Sequence, residues 1–110
     1  MPHRTRKLLL DISFSCQDIS GFIKDKSFED FQGNRMLQLA IERAFEIIGE
    51  ALYRLSKIDE ATIAHKIPEY RQIIDLRNII AHGYDIIDEA AMWDFAVNRV
   101  PSLLEEIQDF

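Results

Sequence analysis

The chain has a single cysteine and no hydrophobic run long enough to cross a membrane. The lone thiol, Cys16, excludes an intrachain disulfide framework and fits a reducing cytosol. The apolar run after the basic N-terminal segment covers only residues 8–10, which is too short for the hydrophobic region of a signal peptide. No stretch approaches the roughly 20 apolar residues of a transmembrane helix. We therefore expect a soluble, cytoplasmic protein without a membrane partner.

The chain also lacks the period-two alternation of strands, internal repeats and low-complexity tracts. At 110 residues, with 47% hydrophobic and 29% charged residues, it predicts one domain, residues 1–110, just large enough to bury its own core. The net charge of −6 argues against sequence-independent coating of nucleic acids, but it leaves room for a local basic site.

Apolar residues recur instead at helical spacing, which predicts an all-α, up-and-down helical bundle of four long helices and one short one. We expect the first long helix over about residues 4–24 and the second over about 34–56, followed by a mixed linker over 57–66. Ser27 and Asp30 resemble a capping box that opens the short helix.

Prolines, glycine and aspartate set the bounds of the two remaining long helices. Pro68 suits the first turn of the third helix, which should run to about His82, and Gly83 suits the C′ position that ends it. Asp88 can cap the fourth helix, and Pro101 should kink or split it.

The second long helix is apolar around much of its circumference, so it should be central in the bundle or pack against a second chain. Met36 and Ile47 are among the residues that widen its apolar stripe. The aromatic residues at helical spacing are expected in the core: Phe14, Phe22, Phe45, Trp93 and Phe95.

A concentration of polar chemistry lies between Arg77 and Tyr84. Arg77 stands among apolar helix neighbours, and an arginine in such a place either pairs with a carboxylate or lines a cleft for an anion. Asn78 and His82 are four residues apart and share a helix face. Arg77 and His82 are about 140° apart around the helix, at about 100° per residue, so two copies related by a two-fold axis would close the site better than one.

Each of these residues has a structural alternative. Arg77 could form a salt bridge with a buried glutamate, and His82 could sit against the carbonyl groups of a helix C-terminus. Glu46 and Glu50 could belong to a solvated face or to an acid–base pair, but we favour a pairing of one of them with Arg77 or Arg43 that organises the site. No His, Cys, Asp or Glu set has convincing metal-ligand spacing, so we expect no metal.

The motifs together resemble the HepT-like HEPN proteins, which are the toxins of HepT/MntA toxin–antitoxin pairs. Residues 77–82 (RNIIAH), followed by Tyr84, look like the Arg-x4-His-x-Tyr motif of that family, and residues 46–51 match its EIIGEA signature. Residues 27–31 (SFEDF) resemble its SFEEF segment, and residues 93–94 (WD) resemble its tail. The resemblance covers about residues 8–108.

The resemblance implies a homodimer or higher oligomer that cleaves RNA as a metal-independent endoribonuclease without a cofactor. By this analogy, His82 is the general base or acid, Arg77 holds the scissile phosphate, and Asn78 orients the imidazole or the phosphate. Tyr84 corresponds to the tyrosine that an MntA-like nucleotidyltransferase modifies with AMP. The chain has Gly83 where relatives often carry Asp. The alternative is a non-catalytic subunit that binds and regulates such a nucleotidyltransferase.

Overall fold

The computed structural model describes residues 2–81 and 88–110, and the side chains of residues 2–76 and 88–110. Within these ranges the chain is helical and contains no strand. Its elements are α1 (His3–Ile23), α2 (Phe28–Gln32), α3 (Arg35–Lys66), α4 (Tyr70–Ala81), α5 (Glu89–Asp94), a π-helical turn (Phe95–Arg99) and α6 (Val100–Gln108). The last three follow one another without a break and form the fourth long helix, so the predicted all-α architecture is confirmed.

The capping box at the start of α2 is present as predicted. The Ser27 hydroxyl accepts a hydrogen bond from the Asp30 backbone N–H at 3.1 Å, and the Ser27 N–H donates to the Asp30 carboxylate at 2.8 Å. These bonds lower the pKa of the Asp30 carboxyl because they stabilise its ionised form. The box fixes Phe31, which is fully buried and packs 5.4 Å from the Trp93 ring centre, so α2 is tied to the last helix.

The predicted linker over residues 57–66 is wrong, because α3 continues through it to Lys66. Asp59 has non-helical backbone angles that interrupt the helix. Its carboxylate then accepts from the Thr62 N–H at 3.2 Å and from the Thr62 hydroxyl at 2.6 Å, as an N-cap does for a new helix. One residue therefore breaks and restarts the helix, and the buried Ile63 holds the restarted segment on the core.

The helix break expected at Pro101 takes the form of the π-helical turn. Proline has no N–H, and its ring crowds the carbonyl group four residues earlier. The Val100 N–H bonds the Phe95 carbonyl five residues back, which widens the turn and lets the backbone continue past Pro101. The predicted inward-facing residues of this helix are all buried: Met92, Ala96, Val100, Leu103 and Ile107.

The core lies around α3, which packs against both α1 and α4, while α6 covers the other side of α1. The predicted stripe of α3 is buried: Leu37, Ile41, Ala44, Ile48, Leu52 and Leu55. Phe45 is also buried, and Trp93 and Phe95 pack at the edge of the core. Phe14 (58% exposed) and Phe22 (36% exposed) were wrongly expected there, since they lie on the solvent side of α1.

Arg99 ties the last helix to the start of α4. Its guanidinium lies 2.7 Å from the Glu69 carboxylate in the turn before α4 and 2.7 Å from the Glu106 carboxylate on α6. It also donates to the Ser102 hydroxyl at 2.8 Å. Partial burial lowers the pKa of Arg99, but the hydrogen bonds to the carboxylates of Glu106 and Glu69 have the larger combined effect, so the pKa is raised. The N-terminal end of α4 is thereby held on the bundle.

Burial of Cys16 predicts a pH-dependent loss of stability. Removal from solvent raises the pKa of the thiol from 9.0 to about 12, against a smaller opposing effect of the Arg99 charge. Between these values the folded protein holds one proton more than the unfolded chain. The free energy of unfolding should therefore fall by about 1.4 kcal/mol per pH unit as the pH rises through this window.

Urea unfolding of the wild type and of Cys16→Ala at pH 8 to 10.5 measures this contribution. Other groups titrate equally in both proteins, so the difference between the two slopes isolates the thiol. If the free energies of unfolding of the two proteins fell equally with pH, the loss of stability could not be due to the Cys16 thiol.

Candidate active site

The C-terminal half of α4 carries the first two residues of the predicted site, Arg77 and Asn78. The helix begins at Tyr70, so Pro68 lies in the turn before it and not in its first turn as predicted, and it continues through Ala81. The side chains of Arg77 and Asn78 lie outside the described part of the structure, as do all of His82, Gly83 and Tyr84. Their predicted roles therefore stay predictions.

Helical register places position 77 on the inward face of α4. Tyr70 and Ile73, seven and four residues earlier, are 5% and 3% exposed, and residues at these spacings share a helix face. This agrees with the apolar stripe around Arg77 in the sequence.

Helix α4 packs against α3, and a three-residue turn joins the two helices. The Tyr70 hydroxyl donates to the Glu60 carboxylate at 3.1 Å, so the start of α4 is tied to the segment of α3 that restarts after Asp59. Because α3 is interrupted at Asp59, a residue count back from Glu60 does not give the residue that lies level with position 77.

The two glutamates of the EIIGEA signature are half-exposed and lie next to arginines. Glu46 lies 3.3 Å from Arg43, the pairing that the sequence favoured as one of two options, and Glu50 lies 2.9 Å from Arg54. Such exposed pairs contribute little to stability, about 0–1 kcal/mol. Both glutamates and both arginines line the groove between α3 and α1.

A groove of about 170 Å³ lies between α3 and α1, and both signature glutamates line it. Leu8 and Asp11 form its α1 wall. Its α3 wall consists of Arg43, Glu46, Ile47, Glu50, Ala51 and Arg54. Among residues 2–81 and 88–110, no group of three or more His, Cys, Asp or Glu could hold a metal ion. In the same ranges no helix is both long and apolar enough to cross a membrane.

Sequence reasoning missed Tyr53 and Lys57, which continue the line of the signature glutamates. Residues 46, 50, 53 and 57 follow helical spacing, so they form one stripe along α3. Tyr53 is 40% exposed, and the Lys57 ammonium lies 5.3 Å from its ring centre. The spacing was readable from the sequence, but the exposure of Tyr53 and the position of Lys57 beside its ring required the structure.

Comparison with known families agrees with the motifs. The model of the family described as "Ribonuclease HepT-like" matches residues 12–110. The chain belongs to this HepT-like family.

Its relatives span nearly the same length. "Putative RNase MJ1380" of Methanocaldococcus jannaschii is 33% identical over 94% of this chain and 93% of its own. "Putative RNase MJ0127" of the same organism is 31% identical over 99% of this chain and 89% of its own. "Probable ribonuclease HepT" of Thermococcus cleftensis is 31% identical over 94% of this chain and 92% of its own. No solved structure shows a significant match. The resemblance predicted from the motifs is thus confirmed at the level of the family.

Proposed function

We propose that this protein is the toxin of a type VII toxin–antitoxin system and acts as a metal-independent endoribonuclease. The observation that carries the proposal is the family match over residues 12–110, which contains Arg77, His82 and the signature glutamates. The packing of α4, which carries Arg77 and Asn78, against α3, which carries Glu46 and Glu50, supports it.

The reaction requires a base, an acid and a cation at the phosphate. His82 takes the proton of a ribose 2′-hydroxyl, and the 2′-oxygen attacks the adjacent phosphorus. The bond to the 5′-oxygen breaks, and an imidazolium returns a proton to that oxygen, which leaves a cyclic phosphate and a 5′-hydroxyl. An ordinary imidazole pKa of about 6.5 suits both steps. Arg77 stabilises the charge that develops on the phosphate, and Asn78 orients the imidazole or the phosphate.

Substitution of the two catalytic residues should abolish most of the activity. We expect His82→Ala and Arg77→Ala to slow RNA cleavage by about 10²–10⁴-fold, the range for loss of a general acid–base group, and we expect EDTA to leave the wild-type rate unchanged. The assay is gel-resolved cleavage of labelled RNA by the purified protein.

His65→Ala is the matched control, since His65 is an exposed histidine near the end of α3. This variant should cleave RNA at the wild-type rate. An active His82→Ala protein, or loss of cleavage in EDTA, would refute the mechanism. A folded wild-type protein that cuts no RNA would favour the regulatory subunit over the nuclease.

A homodimer is part of the proposal, because two residues five positions apart, as Arg77 and His82 are, would lie about 140° apart around a helix. The exposed apolar residues at the start of α3, Met36 at 78% and Leu39 at 49%, give a second chain a surface to cover. We expect at least two chains by sedimentation velocity at micromolar concentration. Leu39→Glu should weaken the assembly, whereas Phe14→Glu on α1 should not. A monomer that keeps full activity would exclude a shared site.

Control by AMPylation at Tyr84 completes the proposal. A cognate MntA-like nucleotidyltransferase would direct the phenol oxygen to the α-phosphorus of ATP, with pyrophosphate as the leaving group. The resulting phosphodiester anion and adenosine would lie two residues from His82 and would compete with RNA for Arg77.

Tyr84→Phe removes only the acceptor oxygen, so it tests this control directly. After incubation with the nucleotidyltransferase and ATP, intact-mass spectrometry should show added AMP on the wild type and none on the variant. The variant should stay toxic when both proteins are co-expressed. Equal labelling of the two proteins would place the acceptor elsewhere.

A further inference from the structure

We propose that helix α3 holds the two chains of the homodimer together by packing antiparallel on α3 of the second copy, so that Met36 of each chain enters the groove of its partner. This inference rests on the homodimer within the proposed function and names the surface that forms it. Every α3 residue of this surface lies between positions 36 and 54, before the interruption of the helix at Asp59.

One face of α3 has the spacing of a helix–helix seam. Its members follow one another at alternating intervals of four and three residues, the repeat that keeps one side of a helix against a partner helix. We call this set the α3 face: Met36, Ala40, Arg43, Ile47, Glu50 and Arg54. All six are exposed or half-exposed, so the chain itself leaves this face open.

The two ends of the α3 face have complementary shapes. Met36 is 78% exposed and its neighbour Leu39 is 49% exposed, so one end carries projecting apolar side chains. The other end is the groove of about 170 Å³ against α1, whose apolar lining is Leu8, Ile47 and Ala51. One water molecule occupies about 30 Å³, so the groove has room for the heavy atoms of one apolar side chain. Methionine suits it, because an unbranched side chain adapts to irregular gaps.

A two-fold axis can bring the two ends together. The groove is centred near residue 50 of α3, about 14 residues or about 21 Å from Met36 along the helix. Two antiparallel copies of α3 therefore place Met36 in the partner's groove when the axis crosses α3 midway, near Arg43. The same register sets Ile47 beside the partner's Leu39, so apolar side chains meet. Each of these contacts occurs twice by symmetry.

The charges of this surface favour the antiparallel arrangement. The α3 face and its edge hold two ion pairs, Arg43–Glu46 at 3.3 Å and Arg54–Glu50 at 2.9 Å. Parallel packing would set each of these charges against its own copy, which is unfavourable. Antiparallel packing sets only Arg43 beside its copy. Both Glu46 carboxylates then lie within one turn of the axis, so cations and carboxylates alternate around it.

The balance of charge also favours a second copy as the occupant. Each chain carries a net charge of −6, so two copies repel each other at long range. The two ion pairs of the α3 face sum to zero, and Asp11 on the α1 wall of the groove is paired with Lys7 at 2.7 Å. Two copies can therefore approach through this surface. A strongly acidic or basic partner would find no excess of opposite charge there.

Substitution of Met36 should dissociate the homodimer without unfolding the chain. Met36→Glu leaves the core untouched but would put a carboxylate into the partner's groove. We expect the dimer Kd, measured by sedimentation velocity of the full-length protein over a concentration series, to rise about 100-fold or more. Met36→Leu keeps an apolar side chain and should stay within about fivefold of the wild type. Phe14→Glu is the matched control on α1 and should leave the Kd unchanged.

Two charge reversals test the alternation of charges around the axis. Arg43→Glu and Glu46→Arg should each weaken the homodimer, because each variant gathers four charges of one sign at the axis. An equimolar mixture of the two variants should recover dimers, since an acidic face then meets a basic one. If the Arg43–Glu46 pair acted only within one chain, the mixture would show no recovery, and the proposed arrangement would be wrong.

A single added cysteine reports the direction of the two helices. Cys16 is fully buried, so the introduced thiol is the reactive one. Arg43→Cys should form an interchain disulfide under mild oxidation, because facing residues of two packed helices come within disulfide reach. Position 54 lies about 16 Å from the axis, so Arg54→Cys would hold its two thiols about 33 Å apart and should not cross-link. Cross-linking at both positions on a non-reducing gel would indicate parallel helices.

The outcomes separate this inference from the proposed ribonuclease, whose cleavage of RNA is measured independently. A wild-type dimer that Met36→Glu does not weaken and Arg43→Cys does not cross-link overturns the α3 interface and leaves the ribonuclease standing. Dissociation by Met36→Glu and cross-linking by Arg43→Cys, in a protein that cuts no RNA, support the interface and overturn the ribonuclease. A wild-type monomer that cleaves RNA overturns the interface alone. Circular dichroism checks that each variant folds.

Discussion

The structure depends on the burial of one long helix, α3. Helix α3 packs against both α1 and α4, and its buried stripe extends from Leu37 to Ile63. Burial of aliphatic side chains at about 25 cal/mol per Å² is the main favourable term in a domain of this size. Because the core covers one stripe of α3, its other faces carry the charged residues, among them Glu46 and Glu50.

Helical periodicity made the architecture predictable from the sequence. The inward residues of α1, α3 and the last helix follow from spacing alone, and the caps at Ser27 and Asp88 follow from residue type. The errors have a common cause, since each concerned polar or aromatic residues whose role depends on tertiary packing. Asp59 is a cap inside a helix rather than part of a linker, and Phe14 is exposed because α1 needs only one buried face.

The candidate site was predictable from the sequence as a set of motifs, whereas the packing of the helices that carry them was not. The sequence places Glu46 and Arg77 about thirty residues apart, and no spacing rule connects them. The structure shows the three-residue turn between α3 and α4 and the Tyr70–Glu60 bond that holds the start of α4 on the end of α3. It also shows that Glu46 and Glu50 line the groove between α3 and α1, which depends on tertiary packing and not on spacing.

The acidity of the chain constrains how RNA reaches such a site. A protein with net charge −6 gains no affinity from its overall field, so binding must come from local contacts. Many of its cations are already engaged by carboxylates: Arg43 by Glu46, Arg54 by Glu50, and Arg99 by Glu69 and Glu106. The Lys57 ammonium lies 5.3 Å from the centre of the Tyr53 ring. Because these cations already have partners within the fold, affinity of this chain for an anion would have to come from a small number of local contacts and would fall as salt screens them.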